Sequence, residues 1–136
     1  MKLEQQCVSL ELAKKMKELG FEQESLFWWT KNRAGLKPYV EYEKFIDKRT
    51  VHHKYLDCSA YTVAELGEML PYSIRSNLGI EEELFFTVHR CVGGRGWNLT
   101  YENAYDKTFE RMPVWADTEA DARAKMLIYL KENNLI

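Results

Sequence analysis

The side chains of this chain best suited to chemistry are its three histidines and three cysteines, and their spacing decides how much chemistry they support. A metal site would draw on His52, His53, Cys58, His89 and Cys91. Structural zinc sites are built from pairs of ligands at short spacing, and the pair occurs twice. Here the second pair is missing: on an extended chain His52 and His53 point to opposite sides, and His89 and Cys91 form a single pair on one strand face. A thiol nucleophile, Cys58 or Cys91 with His89 as its base, needs an imidazolium beside the thiolate and donors for an oxyanion. Residues two apart on a strand are separated by roughly 6 to 7 Å, too far for a dependable hydrogen bond. The run Gly93-Gly94-Arg95-Gly96 joins two strand-like segments, whereas a phosphate-cradling loop leads from a strand into a helix N-terminus. The expectation is a protein with no catalytic centre, no metal and no cofactor.

Binding chemistry has more to work with. Phe27-Trp28-Trp29 places large aromatics on both faces of a short strand, which a half-buried strand does not need. Either the strand is covered on both faces, with residues 46–60 as the preferred cover for Phe27 or Trp29, or it shows aromatic surface to a partner. Downstream, residues 31–54 carry seven Lys or Arg against three acids, a local charge of +4 in a chain whose formal net charge is −2. Tyr39, Tyr42, Phe45 and Tyr55 are interleaved with Lys37, Lys44, Lys48, Arg49 and Lys54, the combination by which single-stranded nucleic acid is stacked and neutralised. Candidate binding residues are therefore Trp28, Trp29, Tyr39, Tyr42, Lys44, Lys48, Arg49 and Lys54.

The rest of the composition narrows the class. At 136 residues the chain is the size of one domain, 1–136, able to bury a core without disulfides or metal. A hydrophobic fraction of 46% and a charged fraction of 29% set aside disordered and membrane classes. The start of the chain has no continuous apolar region, so no secretory signal is expected, and a cytoplasmic address with free thiols follows.

These residues must be held by recognisable elements. Ser9 to Gly20 reads as an amphipathic helix with Leu12, Ala13, Met16 and Leu19 on its apolar stripe, Ser9 as cap and Gly20 as the left-handed stop. Ser25 to Thr30 and Tyr39 to Phe45 read as a hairpin. Thr62-Val63-Ala64-Glu65 is a capping box opening a short helix that Pro71 stops. Tyr72 to Glu83 reads as loop, and residues 46–60 resist assignment. Leu84 to Val92 and Arg95 to Glu102 form the clearest hairpin, joined by a Gly93-Gly94 turn, or by a four-residue loop centred on Gly94-Arg95 that keeps the same faces. Its register sets Arg90 opposite Trp97, Val88 opposite Leu99 and Phe86 opposite Tyr101, leaving His89, Asn98, Thr87, Thr100, Cys91 and Glu102 on a wet face. A last helix opens at Thr118, with Asp121 at capping-box spacing, and runs to about Asn133, its Ala120, Ala124, Leu127, Ile128 and Leu130 facing a sheet. The fold expected is α+β: an antiparallel sheet of four to five strands built from two hairpins, the first and last helices on one face and a short middle helix at an edge.

Three stretches carry a family likeness: residues 3–15 (LEQQCVSLELAKK), 59–71 (SAYTVAELGEMLP) and 119–130 (EADARAKMLIYL). Together they resemble a group of small uncharacterised proteins encoded by bacteriophages, prophages and similar mobile elements. The likeness covers both ends and the middle of the chain, while the middle strands, Phe27-Trp28-Trp29 included, depart from it most. It implies a bacterial cytoplasm and an accessory role, and transfers no catalytic residue. The leading expectation is thus a non-catalytic accessory protein acting through protein contacts, with self-association left open. The alternative is single-stranded nucleic-acid binding through residues 31–55.

Overall fold

Most helix ends use the local signals as written; an exception is Ser9, which precedes the first helix in extended conformation but makes no side-chain cap hydrogen bond. In the computed structural model, which describes residues 2–31, 37–42, 56–75, 83–91, 93–103 and 111–136, helix α1 spans Leu10–Glu18. Gly20 follows at φ +82°, and the Gly20 and Phe21 amides donate to the carbonyls of Lys17 and Met16, both at 3.1 Å. These are the two bonds of a left-handed C-cap, and they satisfy carbonyls the helix leaves open. Helix α2, Val63–Met69, opens on the expected capping box: Thr62 Oγ1 accepts from the Glu65 amide at 3.3 Å, and Glu65 Oε2 accepts from the Thr62 amide at 2.7 Å. Helix α3, Glu119–Glu132, closes with the same device as α1, using Asn134 at φ +54° in place of glycine. There the Leu135 amide donates to Leu130 O at 2.8 Å.

Seven strands are present among the described residues, in two antiparallel sheets. Strands β1 (Phe27–Thr30), β2 (Val40–Tyr42) and β3 (Leu56–Ser59) form one sheet in the order β2-β1-β3. Strands β4 (Ser73–Arg75), β5 (Glu83–Arg90), β6 (Trp97–Asn103) and β7 (Arg111–Ala116) form the other in that order. The α+β class is as expected, and both hairpins exist. The single sheet of four or five strands is corrected to two sheets, because each hairpin gains its own further strands. Strand β3 comes from the unassigned segment, β4 from the stretch read as loop, and β7 lies beyond the last strand foreseen. Strands β3 and β4 are of four and three residues, too short for alternation to be a strong signal, whereas β7, of six, is not singled out by the sequence reading. Residues 43–55 and 76–82, with their proposed strand end, basic residues and turn, lie outside the described residues.

The β5–β6 register is the one the pattern requires, pairing Phe86 with Tyr101, Val88 with Leu99 and Arg90 with Trp97. The connection differs. Cys91 N–H donates to Gly96 O at 3.1 Å and Gly94 N–H to Cys91 O at 3.0 Å, so a four-residue loop replaces the two-residue turn without moving any side chain to the other face. The outer face is less wet than its composition implied: Thr100 is 2% exposed.

Helix α3 is the central element. Ala120, Ala122, Ala124, Met126, Leu127, Ile128 and Leu130 are all buried, more than one stripe of the helix, because it packs on β6 and β7 as well as on α1 and α2. Helix α1 lies against α3 and β3, and does not share the four-stranded sheet with α3 as expected. Among the described residues no helix is long and apolar enough to cross a membrane.

Candidate binding cleft

A cleft of about 990 Å³ opens where the N-termini of α2 and α3 meet the tip of the β5–β6 hairpin. Three separate stretches of chain build it. Gln5 and Gln6, with the first turn of α2, form one wall; Asp117, Thr118 and Glu119 form the second; Arg90, Gly94, Gly96 and Trp97 form the third.

Each wall is fixed by side chains already spent on structure. Glu65 holds α2: besides the capping box, its carboxylate accepts from Ser25 Oγ at 3.1 Å and the Leu26 amide at 3.0 Å, tying the approach to β1 onto the helix start. At α3, Thr118 Oγ1 caps the Asp121 amide at 3.2 Å. The Asp121 side chain leaves the expected box and accepts from the Ser9 amide at 2.7 Å, bridging α3 to the start of α1. Arg123 crosses between the helices. Its Nε and Nη2 donate to Glu119 Oε1 at 2.9 and 2.5 Å, and its guanidinium lies 5.8 Å from the Phe86 ring centre. Its guanidinium lies against the backbone at Gly67, where a Cβ would sit 2.7 Å from Arg123 Nη1.

Gly96 holds the hairpin wall closed. Its φ of +83° is a conformation L side chains rarely adopt, and a Cβ would meet Trp115 Nε1 at 2.6 Å and the Ala116 carbonyl at 2.8 Å. Next to it the Arg90 guanidinium lies over the Trp97 ring at 6.0 Å, as the cross-strand register anticipates. The Glu68, Asp117 and Arg90 side chains are exposed and, among the described residues, enter no hydrogen bond or ion pair. These three are the charged groups the cleft offers to a ligand, beside the exposed amide side chain of Gln6.

The residues singled out from sequence lie elsewhere. Trp29 is buried at 8% exposure, and its indole N–H donates to Val8 O at 2.9 Å. Its indole is thus met by the segment before α1; residues 56–59 of the expected cover pair beside β1 as β3, and 46–55 lie outside the described residues. Trp28 is half-buried on the opposite face, its Nε1 buried without a hydrogen-bond partner among the described residues. Tyr42 is half-buried, 5.3 Å from the Phe27 ring, and Tyr39 is 48% exposed. Lys44, Lys48, Arg49 and Lys54 lie outside the described residues, as do His52 and His53. None of the four described candidates lines the cleft. What sequence reasoning found of the cleft is the Arg90–Trp97 pair and the capping threonines Thr62 and Thr118; nothing in the local pattern marks Glu68 or Asp117.

The thiols are poorly placed for chemistry. Burial, with Glu65 and Glu4 nearby, pushes the Cys7 thiol up to about 11, and burial with Asp57 does the same for Cys58. A nucleophile needs the opposite shift. Cys91 is partly exposed and His89 exposed. Among the described residues no group of three or more His, Cys, Asp or Glu is arranged to hold a metal ion. No protein-family model matches this chain, and no curated protein or solved structure is measurably similar to it.

Proposed function

We propose that this chain is a non-catalytic accessory protein of a bacteriophage or mobile element, acting in the bacterial cytoplasm by holding another protein. The observation that carries the reading is the cleft itself. Its walls are tied by internal bonds, its free charged groups among the described residues are one guanidinium and two carboxylates, with the Gln6 amide beside them, and its two threonine hydroxyls are occupied as helix caps. That is a surface prepared for recognition, with polar groups that orient an occupant. The likeness of residues 3–15, 59–71 and 119–130 to mobile-element proteins supplies the setting. The test is co-purification from the producing bacterium, comparing the natural chain with Trp97→Ala. One protein recovered at fixed stoichiometry and lost with Trp97→Ala supports the reading. A partner retained unchanged by the variant removes the cleft from it, and no stoichiometric partner defeats it.

A second reading, single-stranded nucleic-acid binding through residues 31–55, is favoured by Tyr39, which is 48% exposed beside the exposed Lys37 at the edge strand β2. It predicts salt-dependent binding to an oligonucleotide that is lost when Lys44, Lys48 and Arg49 are neutralised together. No binding at low salt defeats it.

A further inference from the structure

Two neighbouring cavities share one side chain, and the charge around it specifies a partner. Glu68 lines the large cleft and also a cavity of about 570 Å³, where the other acids are Glu22, Glu24 and Glu65 and the cation is Lys131. In the large cleft Glu119 and Arg123 neutralise one another, which leaves Glu68 and Asp117 facing Arg90 alone. The acid excess therefore runs along α2 from one cavity into the other.

Resting on the reading that the protein holds a protein partner, we propose that the partner presents a basic segment. An Arg or Lys side chain enters the cleft between Glu68 and Asp117, against Trp97, and flanking basic residues follow the acids beside α2. Opposite charge at the rim guides the approach, and the indole supplies a flat face on which a guanidinium or ammonium stem can lie. Arg90 occupies that face in the free protein. It is thus a placeholder of the same charge as the ligand, and an incoming cation must displace it.

This arrangement makes a prediction in sign. A random peptide library selected on the folded protein should yield peptides rich in Arg and Lys. For the best of them, the double substitution Glu68→Gln with Asp117→Asn weakens binding about tenfold. Arg90→Ala tightens it about threefold, by removing a like charge and baring the ring. Glu11→Gln, an exposed acid on α1 away from both cavities, leaves it unchanged. Weaker binding by Arg90→Ala, an equal effect of Glu11→Gln, or enrichment of acidic or neutral peptides overturns the basic partner while leaving the proposed function standing. A library that yields no binder overturns both.

Discussion

The two sheets of this protein are both antiparallel, yet they are assembled in different ways. In the four-stranded sheet, β5 and β6 are neighbours in sequence, joined by a four-residue loop, and seven consecutive pairs form between them. Each strand's alternation specifies its partner's position, so the register follows from local pattern. The three-stranded sheet has no such continuity. Strand β1 pairs with β2 through three residues, and with β3, nearly thirty residues on, through a register that slips between Trp29 and Thr30. What holds that sheet is a knot of polar groups beside it. The Ser59 amide donates to Gln23 Oε1 at 2.8 Å, the Tyr61 phenol donates to the Glu22 carbonyl, and Glu65 gathers Ser25, Leu26 and Thr62 around one carboxylate. One sheet is specified by a hydrophobic pattern, the other by fixed donors and acceptors at its border.

The largest way to break this contrast is to remove the hub of the knot. Glu65→Ala takes the acceptor from four donors, Ser25 Oγ among them in a residue 1% exposed, and is expected to cost about 3 kcal/mol. Hydrogen exchange should show β1 and β3 losing protection while β5 and β6 keep theirs; equal loss in both sheets would mean that they are not separately maintained. The reciprocal substitution is Gly96→Ala. Strain at φ +83° and the close approach of Trp115 and Ala116 should cost about 2 kcal/mol by denaturant unfolding, with the exchange pattern reversed.

A smaller effect should appear on raising pH. Cys7 and Cys58 are each pushed up to about 11 and Tyr61 to about 12, chiefly by burial. The unfolded chain releases these protons at lower pH than the folded one, so the folded state holds more protons and loses stability as pH rises. The unfolding midpoint should therefore hold up to about pH 9 and fall between pH 9 and 12. Replacing Cys7 and Cys58 together by Ala should flatten the lower part of that decline; an unchanged slope would place its cause elsewhere. The smallest expected effect is a gain. Asn134→Gly relieves a left-handed non-glycine residue at the α3 C-cap, and should stabilise by about 0.5 kcal/mol in thermal unfolding.

The candidate site was legible only where it rests on local signals. The Arg90–Trp97 pair followed from the hairpin register, and Thr62 and Thr118 from their capping positions, since each needs only residues a few places apart. Glu68 was one acid among many on a short helix, and Asp117 stood in a turn. Their relation to Trp97 requires α2, α3 and the hairpin to converge. The same limit explains the aromatic triplet. Three large rings in a row announced that β1 is covered on both faces or shows a surface, but the carbonyl that receives the Trp29 indole belongs to Val8, before the first helix.

By itself, the order of residues determined the helix boundaries, the caps at Thr62 and Thr118, the left-handed stop at Gly20 and the face of each residue in the β5–β6 hairpin, because those depend on dihedral preferences and periodicity within about ten residues. Tertiary structure decided the rest: the division into two sheets, the burial of α3 on more than one side, the diversion of Asp121 from its own helix to the Ser9 amide, and the cleft. Each of these is a contact between segments far apart in sequence, formed only when packing on α3 brings them together, and no pattern inside one segment records which other segment will arrive.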